Sequence, residues 1–259
     1  MCRWLNIPRS SYYYQAVDPV SEADLEDKIT YIFLESKSRY GARKIKKCLE
    51  KDGIILSRRR IRRIMKRLNL VSVYQKAAFK PHSRGKNESP IPNRLDRQFD
   101  QERPLEALVT DLTYVRVDRR WAYVCLTIDF FNREIIGLTV GWHKTAELVK
   151  QAIQSIPYAL TKAKLFHSDR GKEFDNQLID EMLEAFGITR SLSQAGCPYD
   201  NAVAESTYRS FKLEFINQET FQSLKELALK TKDYVHWSNY HRIHGSLNYQ
   251  TPMTKRIIA

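Results

Sequence analysis

Apolar residues recur at helical spacing in three stretches near the start of the chain. Leu25, Ile29, Ile32 and Phe33 follow a 3.6-residue period, and Ser21 with Asp24 forms a capping box ahead of them. Ile45, Cys48 and Leu49 mark one face of a second helix, from about 42 to 51, which Gly53 stops. Ile61, Ile64, Met65 and Leu68 stripe a third helix, capped by Ser57. From about residue 106 the pattern changes. Runs at 108–117, 121–129 and 133–140 read as strands, and the joints Asp118-Arg119-Arg120 and Phe131-Asn132 suit tight hairpins. A helix over 145–160 follows, with Leu148, Ile153 and Ile156 apolar. Then come a strand at 164–167, a helix at 176–186, a strand at 188–192 and a helix at 201–217. A last helix over 223–237 precedes a polar tail.

These patterns divide the chain into an N-terminal segment (1–20), an all-α helix-turn-helix module (21–70), a linker (71–104), an α/β core (105–220) and a C-terminal helix with tail (221–259). The N-terminal segment reads as a turn and a small helix, with Tyr12, Tyr13 and Tyr14 packed rather than functional. Pro81, Pro90, Pro92 and Pro104 break regular structure in the linker. That stretch is expected to be mobile and to touch DNA through Lys76, Lys80, Arg84 and Lys86. The core order, β-β-β-α-β-α-β-α, matches the ribonuclease H-like fold, a mixed five-stranded sheet with flanking helices.

Charge sharpens this division. The formal net charge is +13. Residues 39–86 hold 17 Lys or Arg against Glu50 and Asp52, a local +15, so the rest of the chain carries −2. Basicity confined to one module is the footprint of phosphate-backbone binding. On the third helix Arg58, Arg59, Arg60, Arg62, Arg63, Lys66 and Arg67 surround the apolar stripe. A basic helix after a short glycine-containing turn follows helix-turn-helix logic. The four cysteines, Cys2, Cys48, Cys125 and Cys197, form no C-x-x-C pair, which argues against a disulfide framework or zinc knuckle. The sequence has no apolar run of roughly 18 residues and no signal core, so the chain reads as cytoplasmic, away from membranes.

Three acids carry the candidate chemistry. Asp111 lies inside an apolar strand, where a carboxylate costs several kcal/mol unless it is paired or metal-bound. Asp169 ends another apolar run, and Glu205 lies in a helical stretch with 35 residues between the two. Two strand-end aspartates and a helix glutamate are oxygen donors for hard ions such as Mg²⁺ or Mn²⁺. Two such ions suit in-line attack on a phosphodiester. Lys212, two helical turns after Glu205, and Arg209 between them fall on the same helix face, facing DNA phosphate. Asn201 caps or orients that helix. Asp129 reads as a hairpin residue facing Arg133, and Asp200 as a helix-start residue.

Three blocks resemble the catalytic blocks of bacterial insertion-sequence transposases of the IS-three type, whose core is similar to retroviral integrase. They are Thr110-Asp111-Leu112-Thr113-Tyr114, His167 through Phe174, and Ser193 through Glu205. The 35-residue spacing and Lys212 fit that pattern. Tyr40-Gly41-Ala42-Arg43-Lys44-Ile45 is similar to the family's helix-turn-helix segment, and Asn239 through Pro252 to its C-terminal end. Pro198 and Thr207 depart from the pattern without removing a proposed ligand. The resemblance implies DNA cleavage and strand transfer with two Mg²⁺ ions at terminal inverted repeats. It also implies double-stranded DNA partners, a homo-oligomer, and an upstream-frame protein or fusion that reads the repeats. Three other readings compete: a ribonuclease H-like or junction nuclease that only hydrolyses, a DNA-binding regulator with an inactive core, and a metal site at His236, His241 and His244.

Overall fold

The computed structural model describes Trp4, Pro8 and residues 21–76 and 89–259. The expected N-terminal turn and helix with its three tyrosines, and the linker cations Lys80, Arg84 and Lys86, lie outside the described residues. Two units emerge, Met1–Ser72 and Val73–Ala259.

In the first unit, three helices form where the apolar period predicts them: α1 (Glu22–Glu35), α2 (Ala42–Lys51) and α3 (Arg58–Arg67). Ser21 Oγ accepts from the Asp24 amide at 3.0 Å, and Ser57 Oγ from the Arg60 amide at 3.2 Å. Each cap satisfies an amide that the first helical turn leaves open. Leu25, Ile29, Phe33, Ile45, Leu49, Ile61, Ile64 and Met65 are buried together. Gly53 ends α2 at φ +77°, a conformation in which a Cβ would be strained.

The second unit is built on one sheet of order β3-β2-β1-β4-β5. The strands are β1 (Ala107–Val117), β2 (Arg120–Asp129), β3 (Ile135–Gly141), β4 (Leu165–Ser168) and β5 (Thr189–Leu192). The hairpin pairs β1–β2 and β2–β3 are antiparallel, and β1–β4 and β4–β5 are parallel. This is the ribonuclease H-like arrangement expected from the element order. The sheet is buried on both faces. On one, Val109, Val115, Leu126 and Ile128 pack with α6 (Ala202–Glu214) and α7 (Leu224–Tyr240) through Ala204, Phe211 and Leu227. On the other, Leu108, Cys125 and Phe166 pack with α4 (Ala146–Gln154) and α5 (Gln177–Ala185) through Val149, Ile153 and Leu183. Gly137 permits α4 to lie close, because a Cβ there would strike the Ala152 carbonyl.

The structure departs from the sequence reading at several points. Helix α4 stops at Gln154 rather than near 160, three residues ahead of a proline that cannot continue it. The helix expected over 201–217 is a 3₁₀ turn (Pro198–Asn201), α6, and a second 3₁₀ turn (Ile216–Gln218). The tail holds a further helix, α8 (Pro252–Ile258), capped by the Thr251 hydroxyl. Part of the segment read as linker is packed: Ser191 Oγ accepts from the Arg94 and Leu95 amides, and Leu95 joins the core. Asp129 does not face the Arg133 side chain. It pairs with Arg256 at 2.8 Å and accepts from the Leu105 and Phe131 amides, while the Arg133 guanidinium turns to the Phe99 carbonyl and Asp100. No described helix is long and apolar enough to cross a membrane.

Candidate active site

The pleat fixes where Asp111 looks. Side chains alternate along a strand, so Asp111 shares a face with Val109, Thr113 and Val115, the face covered by α6. Strand β4 runs parallel beside it, with Val109 opposite His167. Two residues further on each strand stand Asp111 and Asp169. Asp111 thus lies within β1 and Asp169 directly after β4, each just past the last pair of the two strands. Asp111 Oδ1 accepts from the Leu112 amide at 2.7 Å, and Asp169 Oδ1 from the Gly171 amide at 2.9 Å.

Arg170 fastens the loop after Asp169. Its guanidinium donates to the Ser193 carbonyl at 2.7 Å, to Ile91 at 3.2 Å and to Ser89. Beneath Asp169, His167 is buried between Ser191 Oγ (2.9 Å) and Ser193 Oγ (3.1 Å), and burial lowers its pKa to about 4. Glu173 is buried and pairs with Lys144 at 2.7 Å. A side chain at Gly171 would strike the Glu173 carboxylate.

Helix α6 is tied to β1 by Tyr208. Its hydroxyl donates to the Asp111 carbonyl and accepts from the Leu126 amide at 2.7 Å. Burial pushes the Tyr208 phenol well above its usual range, and the charges of Asp111 and Asp169 add to this. Glu205 stands one turn before Tyr208, exposed in the first turn of α6. Glu205, Arg209 and Lys212 form a stripe at i, i+4 and i+7. Arg209 is exposed, and Lys212 Nζ sits 4.7 Å from the Tyr114 ring centroid.

Asn201 occupies the cap position of α6, but its side chain makes no cap bond, and its buried Oδ1 has no hydrogen-bond partner. The 3₁₀ turn ahead of α6 supplies the helix start in its place. Asp200 likewise braces a loop rather than starting the helix, accepting from Arg97 Nε (2.8 Å) and the Gln194 amide (3.0 Å). Burial opposes its charge, yet those two donors hold its carboxyl below the usual range.

Asp111, Asp169 and Glu205 are all oxygen donors, the class that hard divalent ions take. Among the described residues no three of His, Cys, Asp and Glu are gathered into a ready metal cage. Asp111 and Asp169 follow the paired segment of β1 and β4, and Glu205 is exposed in the first turn of α6. An open cleft of about 530 Å³ lies elsewhere on α6, lined by Ser206, Ser210, Arg133, Arg242 and His244; none of the three acids lines it.

Sequence reasoning overlooked two features of this region. Tyr208 was findable from its spacing, three residues after Glu205. The second is Glu214, fully buried on α6, whose carboxylate is held by Arg242 at 2.9 Å and by the Tyr74 and Tyr234 hydroxyls. Nothing in local pattern announces it.

In the helical unit, Arg60 bonds Glu22 at 2.6 Å, and Arg67 bonds Glu22 at 2.9 Å and also Glu26. Arg58, Arg59, Arg62, Arg63 and Lys66 form no ion pair among the described residues, and Arg58, Arg59, Arg62, Arg63 and Lys66 are solvent-exposed.

Sheet order, strand-end aspartates and covering helix define an integrase-type core, and the comparisons agree. Two sequence models described as integrase core domain match residues 101–198 and 186–252, and one described as HTH-like domain matches 20–78. Residues 101–252 thus match integrase core models and residues 20–78 an HTH-like model. Among named relatives, it is 29% identical over 261 residues to InsK of insertion sequence element IS150 from Escherichia coli K12, covering 99% of this chain and 92% of that one. It is 28% identical over 245 residues to the transposase InsF for insertion sequence IS3A of the same organism, covering 91% and 85%. The catalytic core domain of HTLV-2 integrase, solved in complex with magnesium, aligns with 59% of this chain and 97% of its own at a TM-score of 0.44 and 15% identity. The InsF relative comes from an IS3 element, the kind that the motifs resemble.

Proposed function

We propose that this chain is the catalytic subunit of a transposase that cuts DNA at insertion-sequence ends and joins the freed 3′ hydroxyl to target DNA. The reading is supported by Asp111 and Asp169 each standing two residues beyond the last β1–β4 pair, Val109 with His167, with α6 tied to the Asp111 backbone by Tyr208. Asp111 and Asp169 would hold Mg²⁺ or Mn²⁺, with Glu205 completing the set from α6. Mg²⁺ is commonly held by one or two carboxylates plus substrate phosphate rather than by a protein cage, which suits an open arrangement of this kind. When bound, a pair of ions neutralises charge on the attacking and leaving oxygens of an in-line displacement.

The chain's own residues supply positioning. Backbone amides fix one oxygen of each aspartate, so neither carboxylate must be ordered when DNA arrives. Lys212 and Arg209 offer cations to phosphate along the Glu205 stripe. On α3, Arg58, Arg59, Arg62, Arg63 and Lys66 offer exposed cations to duplex DNA. The working complex is proposed to contain more than one copy, with an upstream-frame protein or fusion reading the terminal repeats.

The test is a strand-joining assay with labelled element ends, Mg²⁺ or Mn²⁺, and the upstream-frame product supplied. Asp111→Ala, Asp169→Ala and Glu205→Ala are each expected to abolish joining while duplex binding persists. Full strand transfer by any of the three sinks the assignment.

A further inference from the structure

Beyond Val109, β4 no longer pairs with β1, and β1 continues with β2 as a projecting hairpin. Two large aromatics lie half-exposed on this hairpin, Tyr114 and Trp121, each at 50%. Their rings meet edge to face, 5.2 Å between centroids at 89°. Cations flank them. Lys212 Nζ is 4.7 Å from the Tyr114 ring, Arg116 is 5.3 Å from Trp121, and Arg120 is 4.3 Å from the neighbouring Trp142. Asp118 is the one carboxylate in residues 114–123, against Arg116, Arg119 and Arg120.

Half-exposed aromatic rings flanked by cations complement a strand that carries both flat bases and negative phosphates. In a duplex, neighbouring bases cover both faces of each base, so only an unpaired base has a face to offer. Tyr114 lies three residues from Asp111, roughly 10 Å along a strand. Lys212 reaches the Tyr114 ring from α6, the helix that also carries Glu205.

We infer that Tyr114 and Trp121, flanked by Lys212 and Arg116, form a stacking platform for an unpaired DNA base beside the strand-end carboxylates. This deepens the DNA-joining reading and rests on it.

The test uses the full chain in EDTA, so that binding is read without chemistry. The probes are a blunt DNA duplex and the same duplex with a short unpaired 3′ extension carrying 2-aminopurine. The unvaried chain is expected to bind the extended duplex more tightly and to quench the 2-aminopurine. Trp121→Ala with Tyr114→Ala should weaken binding of the extended duplex about tenfold or more, and that of the blunt duplex little. Trp121→Phe should retain most of the preference, separating stacking from misfolding. Equal binding of both probes by the unvaried chain overturns the platform. So does a preference that survives both alanines, or alanines that weaken self-association instead, which would make the rings a contact between copies. Asp111→Ala should keep the preference. If the unvaried chain fails to join DNA yet shows a Trp121-dependent preference, the catalytic reading falls and the platform stands.

Discussion

Glutamate–arginine pairs tie elements together in both units, in opposite surroundings. In the helical unit, Glu22 and Glu26 hold Arg60 and Arg67, and Glu22, Arg60 and Arg67 are 48%, 41% and 52% exposed. In the sheet unit, Glu214 holds Arg242 with side-chain exposures of 0% and 10%. Water competes for the first set and salt screens it, so it contributes little to stability. The second has lost its water and must fill every polar site. Arg242 donates to both Glu214 oxygens and to Ser210, and the Tyr74 and Tyr234 hydroxyls complete the carboxylate. Burial opposes the Arg242 charge, yet Glu214 overrides it and raises the pKa above the usual arginine value. The exposed ties decide which cations remain for a ligand. The buried tie decides where α6 lies, and with it Glu205.

The largest effect should come from breaking the buried tie. Arg242→Ala leaves Glu214 charged and dry, and is expected to cost about 3–5 kcal/mol in urea unfolding of the full chain. Replacing both partners, Arg242→Met with Glu214→Leu, should recover most of that, because an apolar pair needs no partner. A loss below about 1 kcal/mol in the single variant would erase the contrast between the two regions.

A smaller effect, on binding rather than stability, should come from the exposed cations of α3. Changing Arg59, Arg62 and Arg63 to Ala together is expected to flatten the slope of log binding constant against log salt by about 2 to 3. An unchanged slope would remove this face from the DNA contact.

The comparison also explains what the sequence could reveal. Helices α1 to α3 and the five strands follow local periodicity, and local periodicity is written in neighbouring residues. The two aspartates drew attention for the same reason: a charge inside or just after an apolar run stands out against its own strand. Glu214 did not. It lies on α6 among residues of mixed polarity, and its partner comes 28 positions later, a pairing that only tertiary packing makes. Asp129 misled for the same reason, since Arg133 is near in sequence while the true partner, Arg256, is 127 positions away. The Thr251-Pro252 start of α8 was a readable signal that the polar tail obscured.

The smallest effects should test whether the exposed ties really withhold cations. Arg60→Ala removes a charge that Glu22 already neutralises, so the salt slope should stay within error and the melting temperature should scarcely move. Glu22→Gln acts on the other partner. Arg60 and Arg67 together hold the Glu22 carboxyl below its usual range, so it is ionised wherever DNA binding is measured near neutral pH. Removing that charge frees Arg60 outright and leaves Arg67 with Glu26 alone. One more unneutralised cation on α3 should steepen the salt slope by about one. The two substitutions break the same contact with little cost in stability, yet only the second changes the charge offered to DNA. Equal slopes for both variants would mean that Arg60 points away from the bound duplex, and that the DNA face of α3 is confined to Arg58, Arg59, Arg62, Arg63 and Lys66.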